Sequence, residues 1–266
     1  EESQVSEVIA SPQLRAVTLT GSTRAGKAVG ALSGGHLKKM VMELGGSNAL
    51  IVFPDADFEE TLEECVQARF QNTGQSCIAG KRLLLHADIA GEFTTRLVAE
   101  VEKLPCGDPL DPETYIGVLA REDLAEHLED QMRKSIKMGA ELACGGRREG
   151  AFFQPTVLLG VTPQMPVFSQ ETFGPLLAVT TFESEQTAVS LSNQSTYGLG
   201  VSVFTEDSAR IDRLIPALEE GAVFINSLVK SDPRLPFGGI GASGYGRELS
   251  VEGIREFTNI KTVYVR

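Results

Sequence analysis

The sequence lacks tryptophan and has only three histidines and four cysteines among its 266 residues. The cysteines Cys65, Cys77, Cys106 and Cys144 share no C-x-x-C spacing, and the few histidines do not complete a zinc pattern with them. Sparse cysteines are typical of a reducing compartment, so a cytoplasmic protein is expected. For any one of the four, burial as a small hydrophobic side chain is the ordinary expectation.

Long apolar runs and clusters of basic residues are also missing. No apolar run approaches the roughly 20 residues of a membrane helix, and the first ten residues, E-E-S-Q-V-S-E-V-I-A, lack the basic-then-apolar order of a signal peptide. The net charge is −12, and the 24 Lys and Arg residues are scattered. Because nucleic-acid-binding proteins usually cluster their basic residues, nucleic acid is not an expected partner. The missing apolar run argues in the same way against a membrane.

The chain does contain apolar runs that alternate with amphipathic ones. Strand-like runs lie at 16–20, 49–53, 82–86, 199–204 and 222–226, and helical patterns lie near 23–32, 58–70, 88–103, 121–138, 184–193 and 207–219. Asp57, with Glu60 three residues later, predicts a helix start at 58. A short helical pattern at 250–257 and an edge-like strand at 260–265 follow near the C-terminus. Strands separated by helices predict βαβ units and an α/β fold with a mostly parallel sheet.

The segment Gly21 to Ala28, G-S-T-R-A-G-K-A, differs by one letter from the P-loop pattern G-x-x-x-x-G-K-[S/T]. A glycine turn between a strand and a helix presents backbone N–H groups to an anion. Ala28, however, has no oxygen for Mg²⁺, and no acid directly follows the next strand-like run, because Pro54 precedes Asp55. These residues argue against a nucleoside triphosphatase and leave a dinucleotide site or a turn without a ligand.

Two further segments place chemically active side chains next to glycines. Glu43 ends an apolar run before the Gly45-Gly46 turn, and Cys77 lies in a polar loop between a helix and a strand. We expect the two side chains to converge at the C-terminal edge of a sheet, where α/β proteins bind their ligands. Taken alone, Glu43 fits a surface acid and Cys77 a packed thiol equally well.

The order of several short motifs resembles the NAD(P)-dependent aldehyde dehydrogenase superfamily. These motifs are Thr20-Gly21-Ser22, the E-L-G-G of Glu43 to Gly46, the N-T-G-Q-S-C of Asn72 to Cys77, the E-T-F-G-P of Glu171 to Pro175, Pro236 to Gly239, and Ser243 to Glu248. The stretches E-L-G-G-S-N-A, A-R-F-Q-N-T-G-Q-S-C and S-D-P-R-L-P-F-G-G look like the bacterial succinate-semialdehyde dehydrogenase branch.

The resemblance implies a role for each residue in the motifs. Cys77 would be the nucleophile that forms a thiohemiacetal and then a thioester, and Glu43 the general base that activates the hydrolytic water. The residues that would bind NAD or NADP are Gly21 and Ser22 beneath the pyrophosphate, Leu44 near the nicotinamide amide, Glu171 on the ribose and Phe173 beside the ring.

The aldehyde is expected to be a small semialdehyde. By the same resemblance Phe237 would line its pocket, and Ser231 and Arg234 are candidate partners for its carboxylate. A solvated loop charge is an equally open interpretation of Arg234. Gln71 stands where some succinate-semialdehyde enzymes have Arg, which weakens a simple transfer of specificity.

The resemblance also predicts the domain organisation. Residues 1–46 are expected to be the C-terminal part of an NAD(P)-binding domain, 47–240 a catalytic domain, and 241–266 a C-terminal return. The strand of that return is expected to pair subunits into a dimer or tetramer. The family's large N-terminal portion has no counterpart here, so the chain alone is expected to bind NAD weakly and to turn over poorly.

Two other functions remain open from the sequence. A cofactor-independent cysteine esterase or acyltransferase would use Cys77 with a histidine base such as His86 or His127. A truncated, non-catalytic fragment acting as a structural or interaction module is the other alternative, although it leaves the presence of Glu43, Cys77 and Glu171 without an explanation.

Overall fold

A computed structural model describes residues 2–266, which group into two compact units, one of residues 2–45 with Lys230–Arg266 and one of Gly46–Val229. The helices are α1 (Glu2–Ala10), α2 (Thr23–Gly35), α3 (Phe58–Phe70), α4 (Ala87–Glu102), α5 (Glu122–Lys137), α6 (Pro166–Ser169), α7 (Glu185–Asn193), α8 (Ser208–Leu214) and α9 (Ser250–Glu256). The strands are β1 (Ala16–Thr20), β2 (Lys39–Glu43), β3 (Asn48–Val52), β4 (Gly80–His86), β5 (Glu141–Cys144), β6 (Arg148–Glu149), β7 (Phe152–Phe153), β8 (Thr156–Leu159), β9 (Leu176–Phe182), β10 (Tyr197–Gly198), β11 (Val201–Phe204), β12 (Val223–Ile225), β13 (Ile240–Gly241) and β14 (Gly244–Tyr245).

The first unit is built on a three-stranded sheet in the order β1-β2-β14. Strands β1 and β2 are parallel, with Thr20 opposite Glu43, and α2 connects them as in a βαβ unit. The Ser22 hydroxyl caps α2 by accepting a hydrogen bond from the Ala25 amide. Strand β14 pairs antiparallel with β2, so Gly244 lies opposite Glu43. This arrangement puts Glu43 at the carboxyl end of β2.

The second unit contains a seven-stranded sheet in the order β12-β11-β3-β4-β9-β8-β5. Neighbouring strands are parallel except for β5, which runs antiparallel to β8. Alternate residues of β3 enter different hydrophobic clusters: Ala49 and Ile51 join one, and Leu50 and Val52 join the other. Because successive strand residues point to opposite faces, the sheet is buried on both sides, as is usual for parallel sheets.

The α/β fold class is confirmed, and each predicted helix and strand up to residue 257 has a counterpart within a few residues. Asp57 caps α3 by accepting a hydrogen bond from the Glu60 amide at 2.9 Å. In the single chain, residues 259–266 form no regular structure, so the predicted strand at 260–265 is not formed there, and its expected pairing between subunits stays a prediction. A strand requires hydrogen-bonded neighbours, and the pattern of apolar residues alone does not supply them.

Several elements were not predicted, among them helices α1 and α6 and strands β5, β8 and β9, although β9 has two neighbours in the larger sheet. Over residues 2–266, no helix is both long and apolar enough to cross a lipid bilayer.

Candidate active site

The loop that carries Cys77 lies between a 3-10 turn at Gln71–Gly74 and strand β4. Asn72 and Thr73 have positive φ angles of 53° and 55°, a conformation that side chains seldom adopt. The Asn72 amide closes the turn by donating to the Gln75 carbonyl at 2.9 Å. The Gln75 side-chain carbonyl in turn accepts the Ala120 amide at 2.8 Å. These contacts fix the conformation of the loop from its strained residues to Gln75.

The cysteines differ in their surroundings. Cys77 is partly exposed, whereas Cys65 and Cys144 are buried. Burial raises the pKa of Cys65 and raises that of Cys144 to about 11, which keeps both thiols protonated and unreactive. Cys106 is exposed, but partial burial of its sulfur still raises its pKa. Cys77 therefore lies in a solvent-accessible, conformationally fixed loop, the setting that a nucleophile needs.

Lys81, in β4, is a fully buried cation that the sequence did not single out. Its ammonium donates to the carbonyls of Ser76 at 2.9 Å and Cys77 at 3.0 Å, and to Glu171 Oε1 at 3.1 Å. An ammonium has three protons, so these three acceptors satisfy it. Burial lowers the pKa of Lys81 to about 8, and the neighbouring Glu171 carboxylate opposes that shift. At neutral pH Lys81 is mainly a cation.

Glu171 and Phe173 lie in the segment that precedes β9. Glu171 Oε1 also accepts the Gly46 amide at 3.0 Å, while 18% of the side chain remains exposed. Phe173 is 36% exposed, with the Lys81 ammonium 5.9 Å from its ring centroid. The structure therefore brings Cys77, Glu171 and Phe173 together around Lys81.

A second buried cation supports the same segment. Arg69 of α3 is fully buried, and its Nη2 donates to the Thr172 carbonyl at 3.0 Å. A Cβ added to Gly74 would lie 2.6 Å from the Gly174 carbonyl oxygen, so the Cys77 loop and the segment before β9 pack backbone to backbone. The sequence signal for the two cations is weak: Arg69 lies between an alanine and a phenylalanine, and Lys81 stands with Arg82 just before three leucines.

The expected position at the C-terminal edge of a sheet is wrong for Cys77. Cys77 and Glu171 precede β4 and β9, so both lie at the amino ends of these parallel strands. At the opposite edge, the Asp55 carboxylate accepts hydrogen bonds from the Thr205 hydroxyl and from Arg210. Burial alone would raise the pKa of Asp55, but these hydrogen bonds outweigh it and lower the pKa to about 2. A charged network therefore occupies the edge where the ligand was expected.

Glu43, in the first unit, is a buried carboxyl group with 3% exposure. Among residues 2–266, neither of its side-chain oxygens has a hydrogen-bond partner. Burial is the largest cause of a net rise in the pKa of Glu43 to about 8; the Glu248 carboxylate adds to this rise, and Arg247 opposes it. A Cβ on Gly238 would come within 2.9 Å of Glu43 Oε1, so glycine backbone lies directly against the carboxyl group. Glu43 is mainly protonated at neutral pH.

The predicted phosphate turn lies beside the backbone of Glu43. The Gly21 amide donates to the Glu43 carbonyl at 2.9 Å, which removes it as a donor for a ligand. Ser22 is exposed and starts α2, whose first-turn amides point out of the helix end. The Leu44 amide is bonded to the Ser243 carbonyl at 3.0 Å, so only the Leu44 carbonyl can serve a ligand amide.

The three predicted substrate residues differ in their exposure to solvent and in their hydrogen-bond partners. Phe237 is half-buried, and its backbone exchanges hydrogen bonds of 2.8 and 2.7 Å with Glu248. The Arg234 side chain is 86% exposed and forms a two-pronged ion pair with Asp232. Ser231 is exposed. Because Arg234 already has a carboxylate partner, the structure gives more support to a solvated loop charge than to a substrate contact.

His86, one of the bases considered for a cysteine hydrolase, lies far from Cys77. It ends β4 while Cys77 precedes the start of this strand, and six residue steps of about 3.3 Å separate the ends of β4. The His86 ring accepts the Asp88 amide at 3.3 Å and thereby caps α4. His127 is exposed on α5. The geometry of β4 therefore excludes a direct pair between His86 and Cys77.

Comparison with known proteins gives consistent matches. The chain is 46% identical over 263 residues to the succinate semialdehyde dehydrogenase [NAD(P)+] Sad of Escherichia coli K12, covering 98% of the chain and 57% of that protein. It is 44% identical over 264 residues to the succinate-semialdehyde dehydrogenase [NADP(+)] of Mycobacterium leprae, covering 98% of the chain and 58% of that protein. The solved structure of the succinic semialdehyde dehydrogenase of Streptococcus pyogenes in complex with NADP+ superposes with a TM-score of 0.96 at 37% identity. The match covers 100% of the present chain and 59% of that one.

These proteins are considerably longer than the present sequence, which spans between half and two thirds of their length. The model of the aldehyde dehydrogenase family matches residues 1–263, nearly the whole chain. On this match and these identities, the chain belongs to the aldehyde dehydrogenase family.

Proposed function

We propose that this chain carries the reacting groups of an enzyme that oxidises an aldehyde to a carboxylic acid with NAD(P)+. The observation that carries the proposal is the shared ammonium of Lys81, which holds the backbone of Cys77 and the carboxylate of Glu171 at one place. The reaction needs a thiol that adds to the aldehyde. A carboxylate that accepts hydrogen bonds from a ribose diol would hold the cofactor beside that thiol. The relatives named above act on succinate semialdehyde with NAD(P)+ or NADP+.

The residues present fit a nicotinamide dinucleotide. Glu171 Oε1 is bonded to Gly46 and Lys81, and the carboxylate keeps a partly exposed side for ribose hydroxyls. The start of α2, with the exposed hydroxyl of Ser22, can hold a phosphate through its first-turn amides. Phe173 offers an exposed aromatic face. The chemistry that NAD(P)+ supplies when bound is the acceptance of a hydride from the substrate carbon.

Cys77 begins the proposed reaction by adding its thiolate to the aldehyde carbon, which forms a thiohemiacetal. Loss of hydride from that carbon leaves a thioester on Cys77. The loop contacts of Asn72, Gln75 and Lys81 keep Cys77 in one position during both steps. Such positioning lowers the entropic cost of reaching the transition state.

Glu43 acts in the second half of the proposed reaction as the base that takes a proton from the hydrolytic water. A base with a pKa of about 8 is mainly protonated at pH 7, so thioester hydrolysis should speed up as the pH rises through 8. Both oxygens are buried and have no hydrogen-bond partner among residues 2–266, so a water molecule that entered this site would find their lone pairs unused.

The substrate is proposed to be a short aldehyde that ends in a carboxylate, such as succinate semialdehyde. The two relatives named above are succinate-semialdehyde dehydrogenases, which supports this choice. The ion pair of Arg234 with Asp232 would have to open before Arg234 could bind a substrate carboxylate. The carboxylate specificity is therefore tested separately from the oxidation itself.

The test is an aldehyde panel in which reduced nicotinamide is followed by its absorbance. Succinate semialdehyde is compared with butyraldehyde, which lacks the carboxylate, with NAD+ and NADP+ in turn. Cys77→Ser should lower turnover by about 10³-fold or more, because the hydroxyl is a much weaker nucleophile. Cys106→Ser is the matched control and should leave the rate unchanged.

Two outcomes would contradict the proposal. Oxidation that survives in Cys77→Ser would exclude Cys77 as the nucleophile. Ester cleavage that needs no cofactor and is lost on His127→Ala would favour a cysteine hydrolase instead. Butyraldehyde oxidised as efficiently as succinate semialdehyde would leave the reaction standing and reject only the carboxylate specificity.

A further inference from the structure

The ammonium of Lys81 connects two parts of the chain that are distant in sequence. Two of its acceptors, the carbonyls of Ser76 and Cys77, belong to the loop before β4. The third, Glu171 Oε1, lies 90 residues further along, in the segment before β9. Since β4 and β9 are neighbours, a single side chain spans the adjoining ends of two paired strands.

An ammonium at this position is energetically costly. Lys81 is fully buried, and the nearby cation Arg69 adds repulsion. A buried ion pair contributes little net stability compared with apolar residues of similar size, because both charges lose their hydration. Removing the cation alone would leave two carbonyls and a carboxylate oxygen without this donor. The arrangement is therefore better explained by the geometry it imposes than by the stability it adds.

Other contacts hold the same groups individually but do not connect them through a charge. The Gly46 amide binds Glu171 Oε1, and the Asn48 side chain donates to the Ile78 carbonyl at 3.0 Å. Gly46 also lies against both groups, since a Cβ added to it would collide with the Cys77 carbonyl oxygen, but its contact with Cys77 is packing and not a hydrogen bond to a charge. The Lys81 ammonium forms hydrogen bonds both to the Cys77 backbone and to the Glu171 carboxylate.

We propose that Lys81 is a positioning residue that couples the Cys77 loop to the Glu171 carboxylate, so that a change at Glu171 alters the mobility and reactivity of the Cys77 loop. The chemical purpose of this coupling rests on the proposed function, in which Glu171 contacts the cofactor and Cys77 the aldehyde. Occupation of Glu171 by ribose hydroxyls would then adjust the position of the nucleophile.

The coupling is tested by amide hydrogen exchange of residues 75–79 in four proteins: wild type, Lys81→Met, Glu171→Ala and the double variant. Each single change releases the ammonium link, so the loop amides should exchange about threefold faster or more. In the Lys81→Met background the ammonium link is already absent, so Glu171→Ala should add much less than it does in the wild type. Lys103→Met, which removes a surface ion pair with Glu100, is the control and should leave the loop unchanged.

A second readout is the rate of alkylation of Cys77 by iodoacetamide, followed by peptide mass spectrometry. Lys81→Met should slow it about tenfold, because a nearby cation favours the reactive thiolate. Lys81→Arg keeps the charge and should stay closer to wild type than Lys81→Met. Cys106 is an internal reference in each sample, and its rate should not change.

Fully additive effects of Lys81→Met and Glu171→Ala on loop exchange would overturn the proposal. If Lys81→Met does not fold, as judged by circular dichroism, Glu171→Ala alone decides: unchanged exchange of residues 75–79 in that variant overturns the proposal. Neither measurement uses an aldehyde or a cofactor. Their failure therefore leaves the oxidation of aldehydes standing, and a failed activity assay leaves the coupling standing.

Discussion

Glu43 is a carboxyl group that the folded chain keeps in its neutral form. Its surroundings raise the pKa from the usual 4.5 to about 8 through burial and the nearby Glu248 carboxylate. An acid whose pKa rises on folding favours the folded state below its ordinary pKa, and this advantage disappears as the pH rises through the folded-state value. Ionised Glu43 therefore destabilises the native chain at alkaline pH.

We expect Glu43→Gln to stabilise the chain at pH 8.5 and to have little effect at pH 5. Gln has nearly the same shape and cannot ionise, so the gain at alkaline pH should be on the order of 2–4 kcal/mol. Urea unfolding at the two pH values measures the difference. Glu256→Gln, at an exposed ion pair with Lys39, is the matched control. An equal effect of Glu43→Gln at both pH values would refute the shifted pKa.

At the residue scale, the sequence pointed to residues in polar, glycine-containing loops. Cys77 was identified in this way and Glu171 through the resemblance to the aldehyde dehydrogenases, and the structure places both around one cation. Lys81 was missed because it belongs to the apolar strand β4 and its partner Glu171 lies far along the chain. A charge inside a strand has a function that depends on its neighbours in space, and a single sequence does not show them. The individual roles of the site residues stay predictions.

The loop before β4 is strained and closely packed at Gly74. This residue has φ = 69°, in the region that favours glycine, and backbone atoms of Gly174 lie against it. Gly150 has a similar φ of 56° but nothing within 4 Å of an added Cβ. Replacing each of the two glycines by alanine therefore separates the loss of stability caused by a left-handed backbone from the loss caused by a steric clash.

We expect Gly150→Ala to lower the free energy of unfolding by about 1 kcal/mol, the price of a left-handed alanine. Gly74→Ala adds a collision with backbone that cannot move aside, so a loss of about 3 kcal/mol is expected. Thermal or urea unfolding of both variants measures the two costs. Equal losses would show that the packing against Gly174 is looser than the structure indicates.

At the scale of helices and strands, prediction succeeded where a run of residues carried its own period or cap. Helix α3 is an example, since Asp57 caps it as predicted. The expected edge of the sheet was wrong for Cys77, because the rule for α/β ligand sites concerns loops that follow strands. The Cys77 loop precedes β4, and Arg210 with Asp55 occupies the other edge. Which edge bears the site depends on tertiary packing, so the pattern of one sequence did not decide it.

At the scale of the whole molecule, the last residues expose an unusual number of apolar side chains. Ile260, Val263, Tyr264 and Val265 are between 76% and 91% exposed, and residues 259–266 form no strand. A segment outside any helix or strand can pair its backbone with the strand of another copy of the chain, and its exposed apolar side chains would be buried there. We propose that this tail forms the predicted strand in a homo-oligomer.

Deleting residues 259–266 should therefore reduce the molecular mass in solution to that of a single chain while the helical content stays unchanged. Sedimentation velocity and circular dichroism measure the two properties. The matched control is Ile260→Ala with Val265→Ala, which keeps the backbone and should weaken association only in part. A wild-type chain that sediments as a monomer at all concentrations would exclude the proposal for this chain.

The pairing of β14 with β2 has a consequence for the order in which the chain folds during synthesis. Glu43 lies in β2 and its partner Gly244 lies about 200 residues later, after the whole of the second unit. At translation rates of about 5–20 residues per second, β2 waits about 10–40 s for β14. The second unit, a continuous stretch from Gly46 to Val229, leaves the ribosome complete during this interval. The acid with the raised pKa thus acquires its glycine-rich surroundings only after the whole of the second unit has been synthesised.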